Sequence, residues 1–153
     1  MNLIQLFVEL MLDDPVAAGR ATFSRSNPNF EYTYDSANRI GWITYPNNVT
    51  VYAGGGAELD FGSVSVQEGD KVIIRARKGD RPTASGYWEA RLIVAGSVIY
   101  SIDLGTLPQN QDFGALFTIT SAASDTLVWR LHCINTTNVY GAALGLYAIV
   151  IIR

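Results

Sequence analysis

A chain of 153 residues, 48% apolar and only 16% charged, is one globular domain long enough to bury a core, not a disordered polymer. A formal charge of −3 with no run of Lys or Arg argues against nucleic acid as the main partner. The single cysteine, Cys133, excludes an intrachain disulfide and leaves the redox compartment open.

The chain begins "MNLIQLFVELMLDDPVAAG". Its apolar run is about ten residues, roughly half of what a membrane span needs. No Lys or Arg precedes Arg20, so the basic start of a secretory signal is missing and neither export nor membrane insertion is expected. Leu3, Leu6, Phe7 and Leu10 share a helical face that Ile4, Val8 and Met11 widen, with Asn2 as a cap and Pro15 as a stop. A β-strand fits the same ten residues equally well. Residues 1–26 are therefore expected to form an arm that docks on a neighbour through Leu3, Leu6, Phe7 and Leu10, ahead of a domain over 27–153.

That domain opens on "NPNFE", a turn followed by Phe30, and then on Gly41-Trp42. Phe30 and Trp42 are expected to plug the ends of the body as large apolar side chains. From Trp42 onward short runs rich in β-branched and aromatic residues alternate with turn signals such as Gly-Gly-Gly, Glu-Gly-Asp and Ala-Gly-Ser. Their spacing of roughly eight to twelve residues predicts an all-β fold, a single antiparallel β-sandwich of jelly-roll type.

Period-two alternation then sorts the strand faces. In "KVIIRAR" it sends Val72, Ile74 and Ala76 inward, and in "YWEARLIV" Trp88, Ala90, Leu92 and Val94. In "TLVWRLHCI" the inward set is Leu127, Trp129, Leu131 and Cys133. The last strand, "GLYAIVIIR", is apolar on both faces, with Leu146, Ala148, Val150 and Ile152 set against Tyr147, Ile149 and Ile151. It must be covered on both sides, by the N-terminal segment or by another subunit.

Catalytic and cofactor templates do not emerge. Cys133 and His132 are adjacent on one strand and point to opposite faces, so they make no metal site. Gly54-Gly55-Gly56 lacks the Lys and Ser or Thr of a phosphate loop, and Asp13-Asp14 beside Pro15 makes a poor acid/base pair. No catalytic residue, metal or cofactor is expected. Asn48-Val49-Thr50 is a glycosylation sequon, meaningful only in a secreted eukaryotic protein.

Binding is what remains. The outward sets of the three alternating strands gather Arg75, Arg77, Tyr87, Glu89, Arg91, Arg130 and His132. If those strands share a sheet, the patch could bond sugar hydroxyls and stack a ring, or form a salt-bridged subunit contact. It could equally be a solvated face of cross-strand ion pairs. Tyr45, Tyr52 and Tyr140, near turns, are further stacking candidates.

The pieces "NPNFE", "IGW", "VSVQEGDKVIIRARKG" and "YWEARLIVAGSVIY", with the long C-terminal run from Phe113 to Ile152, together resemble the galactose-binding-like β-sandwich family. That family includes carbohydrate-binding modules and phage virion proteins. The resemblance spans about residues 27 to 152 and is one of pattern, without a catalytic motif. The ending Gly-Leu-Tyr-x-Ile-x-Ile is also similar to the trimeric jelly rolls of the tumour necrosis factor and complement type.

The first resemblance implies a non-enzymatic virion component, a capsid decoration (cement) protein or a spike or fibre module. Such a protein would dock on a major capsid or other virion protein through its arm and apolar last strand, as a homo-oligomer with a trimer preferred. The alternative it implies is an extracellular carbohydrate-binding or lectin-like module that takes a glycan on the mixed Arg/Glu/Tyr face.

Overall fold

The computed structural model describes residues 7–153. Apart from one 3-10 turn at Leu104–Thr106, its regular elements are all β-strands. They form two antiparallel sheets in a single β-sandwich. Sheet A runs β3 (Glu31–Asp35), β4 (Ile40–Tyr45), β11 (Ala142–Ile152), β6 (Lys71–Lys78) and β9 (Gln111–Thr118), with β1 (Phe7–Glu9) paired to the end of β11. Sheet B runs β2 (Thr22–Arg25), β5 (Gly56–Val66), β10 (Ala123–Cys133), β7 (Trp88–Val94) and β8 (Ser97–Asp103).

The alternation in β6, β7 and β10 fixes which side faces in. Val72, Ile74 and Ala76, then Trp88 to Val94 at every second position, then Leu127, Trp129, Leu131 and Cys133 are all buried. At one end the two sheets close on an aromatic cluster. Phe30 lies 4.6 Å from Tyr45 and 5.9 Å edge-on from Trp88, and Tyr45 lies 5.5 Å from Trp88, centroid to centroid. The two rings with a polar atom keep it satisfied: Tyr45 donates to the Thr50 carbonyl (2.6 Å) and Trp88 Nε1 to that of Tyr140 (3.1 Å). Phe30 is thus the plug its position suggests, and Tyr45 is core, not a stacking platform.

Two sequence expectations change here. The described part of the stretch before residue 27, residues 7–26, does not stand apart as an arm, since β1 joins sheet A and β2 joins sheet B. Leu10 donates its N–H to the Ile149 carbonyl (3.1 Å), its side chain packs on the core, and Tyr32 donates to Asp14 (3.0 Å). Backbone pairing available along both sheets draws this segment in. Phe7 pairs through its backbone with Ile152, while Leu3 and Leu6 lie outside the described residues.

The second change concerns β11, which lies between β4 and β6 at the middle of sheet A. A bulge between Leu146 and Ala148 shifts the alternation, so Leu144, Leu146, Ile149 and Ile151 all point inward. The opposite set, Tyr147, Ala148, Val150 and Ile152, is only partly buried within this chain.

Candidate functional site

The seven residues grouped from the sequence do not form one face. Arg75 and Arg77 are on β6 in sheet A, while Glu89, Arg91, Arg130 and His132 are on β7 and β10 in sheet B. Alternation says which side of a strand is outward but not which sheet holds the strand, and only long-range pairing decides that.

On sheet B the outward charges answer one another. Arg130 spends its fork on Glu58 (2.7 Å), the Gly54 carbonyl (3.0 Å) and His132 Nδ1 (3.0 Å), and Arg91 pairs with Glu89. Tyr87, at the end of this row, packs its ring 5.0 Å from Tyr140. The geometry is that of one cross-strand ion pair, Arg130–Glu58, and one along β7, Arg91–Glu89, with their donors already engaged.

His132 is held neutral on this face. Partial burial, with the charges of Arg91 and Arg130 beside it, pushes its pKa down to about 4 from the usual 6.5. The fold therefore keeps His132's full contribution above pH 6.5 and loses it as the pH falls from there through 4, because the unfolded chain takes up the proton first. Asp70 behaves differently. Burial pushes its pKa up, but hydrogen bonds from Arg153 and the Gln67 N–H outweigh this and hold it below 3.8, so its loss comes only at more acid pH. Urea midpoints should decline between pH 6.5 and 4 in the native protein, and His132→Gln should flatten that decline. Identical slopes in both proteins would remove His132 as the cause.

The outward face of sheet A is built otherwise. One row of neighbours across it reads Thr33, Trp42, Gly145, Arg77 and Asp112. Gly145 is what lets Trp42 lie across the sheet. A Cβ there would overlap Ile40 and come 3.1 Å from the indole, and one at Gly79 on the far side would come 2.9 Å from it. The ring spans β11 from β4 toward Gly79, partly buried, and lines two depressions on this face. Trp42 is therefore a surface plate, not the end plug its sequence position suggested.

Polar groups flank the plate. Arg77 donates to Asp112 (2.8 Å), and Tyr147 donates to the same carboxylate oxygen (3.1 Å). The hydrogen bond from Arg77 holds the Asp112 carboxyl below the usual range and raises Arg77 in return; partial burial and the bond to Asp112 raise the Tyr147 phenol. The Arg75 guanidinium sits over the Tyr147 ring, 5.5 Å from its centroid. In the turn after β3, Asn38 donates to Asp35 (2.7 Å).

These residues line a row of adjoining depressions. One of about 260 Å³ contains Trp42, Thr44, Arg81 and Asn110; a second of about 340 Å³ contains Trp42, Arg77, Tyr147, Asp35 and Asn38. A third of about 400 Å³ continues past Asn38 and Tyr147 to Arg39 and Arg75. An accessible indole beside a rigid Arg–Asp–Tyr set can stack on the apolar face of a sugar ring and bond its hydroxyls, and the row has room for more than one ring. A larger cavity, about 520 Å³, lies at the lateral edge between β1 and the end of β5; its walls mix Val8, Val64 and Ile151 with Arg20, Asp70 and Arg153, and it offers no exposed aromatic plate. Sequence reasoning found Arg75 and Arg77 but missed Trp42 and Asp112, although the Gly-Trp alternation in "IGWITY" does place Trp42 on the side opposite Ile43 and Tyr45.

No family model matches the chain, and no curated protein matches it. Its fold is similar to that of carbohydrate-binding modules. A xylan-binding module of family 15 matches with a TM-score of 0.52 at 11% identity, over 97% of this chain and 96% of that one. A family 4 module gives 0.51 at 9% identity over 96% and 86%. A family 61 module in complex with β-1,4-galactotriose gives 0.50 at 7% identity over 92% and 96%. The chain thus has the β-sandwich fold of carbohydrate-binding modules.

Proposed function

We propose that the protein is an extracellular carbohydrate-binding module that takes a polysaccharide chain along the outer face of sheet A. The observation that carries this reading is the Trp42 plate, held over Gly145 and Gly79 and bordered by Arg77, Asp112 and Tyr147. The fold likeness to carbohydrate-binding modules supports it. Of the two functions weighed from the sequence, the glycan alternative therefore leads, and it acts through the sheet A face that carries Arg75 and Arg77, without the sheet B residues grouped with them there. The virion reading drew on the N-terminal segment and on surplus apolar surface at the last strand, whose outer face is partly buried within this chain.

Native gels cast with soluble xylan, galactan, mixed-linkage glucan, glucomannan or a polyuronate test the proposal. At least one polymer should retard the protein. Retardation by none of them, with no depletion by insoluble polysaccharides, would overturn it.

A further inference from the structure

The depression beyond Tyr147 differs from its neighbours in charge. Arg39 and Arg75 both line it and both are exposed. Every other lysine and arginine of the chain donates to a carboxylate, a hydroxyl or a backbone carbonyl. Among the described residues Arg39 has no such partner, and Arg75 donates to none, having the Tyr147 ring beneath it and the Asp112 charge within electrostatic reach. The two cations without a hydrogen-bonded partner thus stand in one hollow, with Glu9 at its rim.

The acidic groups nearby are engaged elsewhere. Glu9, on the rim, accepts from the Met11 N–H (3.3 Å). Asp35 is held by Asn38 and by the N–H groups of its own turn, and Asp112 by Arg77 and Tyr147. Arg39 itself sits at φ 53, a left-handed position that favours glycine. The turn nevertheless carries a long cation there, aimed from a rigid hairpin. Since the whole chain is negative (−3), attraction of a polyanion would be local to this hollow and not a property of the surface at large.

We infer that the glycan bound by this face is anionic, with a uronate carboxylate or a sulfate ester seated between Arg39 and Arg75 while a neighbouring sugar lies on Trp42. This rests on the proposed glycan-binding function and adds the class of its ligand. Planar guanidinium groups suit both anions, since each can accept two parallel hydrogen bonds. The hollow adjoins the one that holds Trp42, sharing Asn38 and Tyr147, which favours a charged sugar within a chain over a free ion.

The test measures affinity for polygalacturonate, alginate and glucuronoxylan beside their carboxyl-reduced forms, and for dextran sulfate beside dextran. At least one charged polymer should bind tenfold or more tighter than its neutral form, and the gain should shrink as NaCl rises. A carboxylate ligand shows in the first group and a sulfate ligand in the second. The double variant Arg39→Gln, Arg75→Gln should bring the charged polymer down to the affinity of its neutral form. Equal binding of charged and neutral polymers, dependent on Trp42, would overturn this inference while leaving the glycan-binding function in place. Binding to none of them would overturn this inference, and only failure on the neutral and insoluble polysaccharides as well would overturn the glycan-binding function. Equal binding of a single-stranded oligonucleotide, or binding of polyanions that survives Trp42→Ala, would make the hollow a plain ion exchanger and also overturn it.

Discussion

Trp42→Ala should abolish retardation by whichever polysaccharide the protein binds, at a loss of about 2 kcal/mol or more, roughly 30-fold in Kd. The indole is the one large accessible plate between the first two depressions of the row. Without it the two depressions keep their hydrogen-bonding groups, with Ala143, Ile40 and the Tyr147 ring, but lose the indole that a sugar face would rest on. Because Trp42 lies outside the sandwich, its removal leaves no internal cavity. The folding cost should stay near 1–2 kcal/mol, that of exposing apolar area, and should be visible as a modest shift in urea midpoint. Trp42→Phe should keep most of the binding. A folded Trp42→Ala protein that binds as tightly as the native one would move the site elsewhere.

The largest effect on stability is expected from Trp88→Ala. Trp88 is fully buried between Phe30 and Tyr45, and its indole N–H bonds the Tyr140 carbonyl. Truncation removes the ring from a cluster whose other members are fixed by their own strands, so the space cannot collapse, and the Tyr140 carbonyl loses its donor. The cost is about 3–5 kcal/mol. For a domain of this size that lowers Tm by roughly 10 °C or more. Glycan affinity at a temperature where the variant is still folded should be nearly native, because Trp88 is in sheet B and Trp42 lines the opposite side of the sandwich. A drop in affinity equal to that of Trp42→Ala would contradict the separation of core and site.

The core and its strands were legible because alternation is a local property. Val72, Trp88 and Trp129 announce their inward side within three or four residues of sequence, and their burial depends on nothing far away. Sheet membership is not local. Arg75 and Arg91 look alike in their strands, yet one sits in sheet A and the other in sheet B, a fact set by pairing with β11 and β10. The last strand misled for a related reason. One extra residue at the bulge near Tyr147 reverses inward and outward, so neither alternating set of the sequence describes the whole strand.

The site was half visible. Its arginines stood out as charges in apolar strands, whereas Trp42 looked like core because indoles usually are. What makes it a surface residue is Gly145, about a hundred positions later in the chain.

The protein has three tryptophans, two of them fully buried, and this makes the central claim directly measurable. In a ¹⁵N-resolved NMR titration with the polysaccharide fragment that binds, the Trp42 indole N–H, identified by its absence in Trp42→Phe, should shift together with the backbone amides of Gly145 and Arg77. The Trp88 and Trp129 indoles should stay in place. An unmoved Trp42 signal, with shifts gathered instead on sheet B or along β1 and the end of β5, would contradict the account.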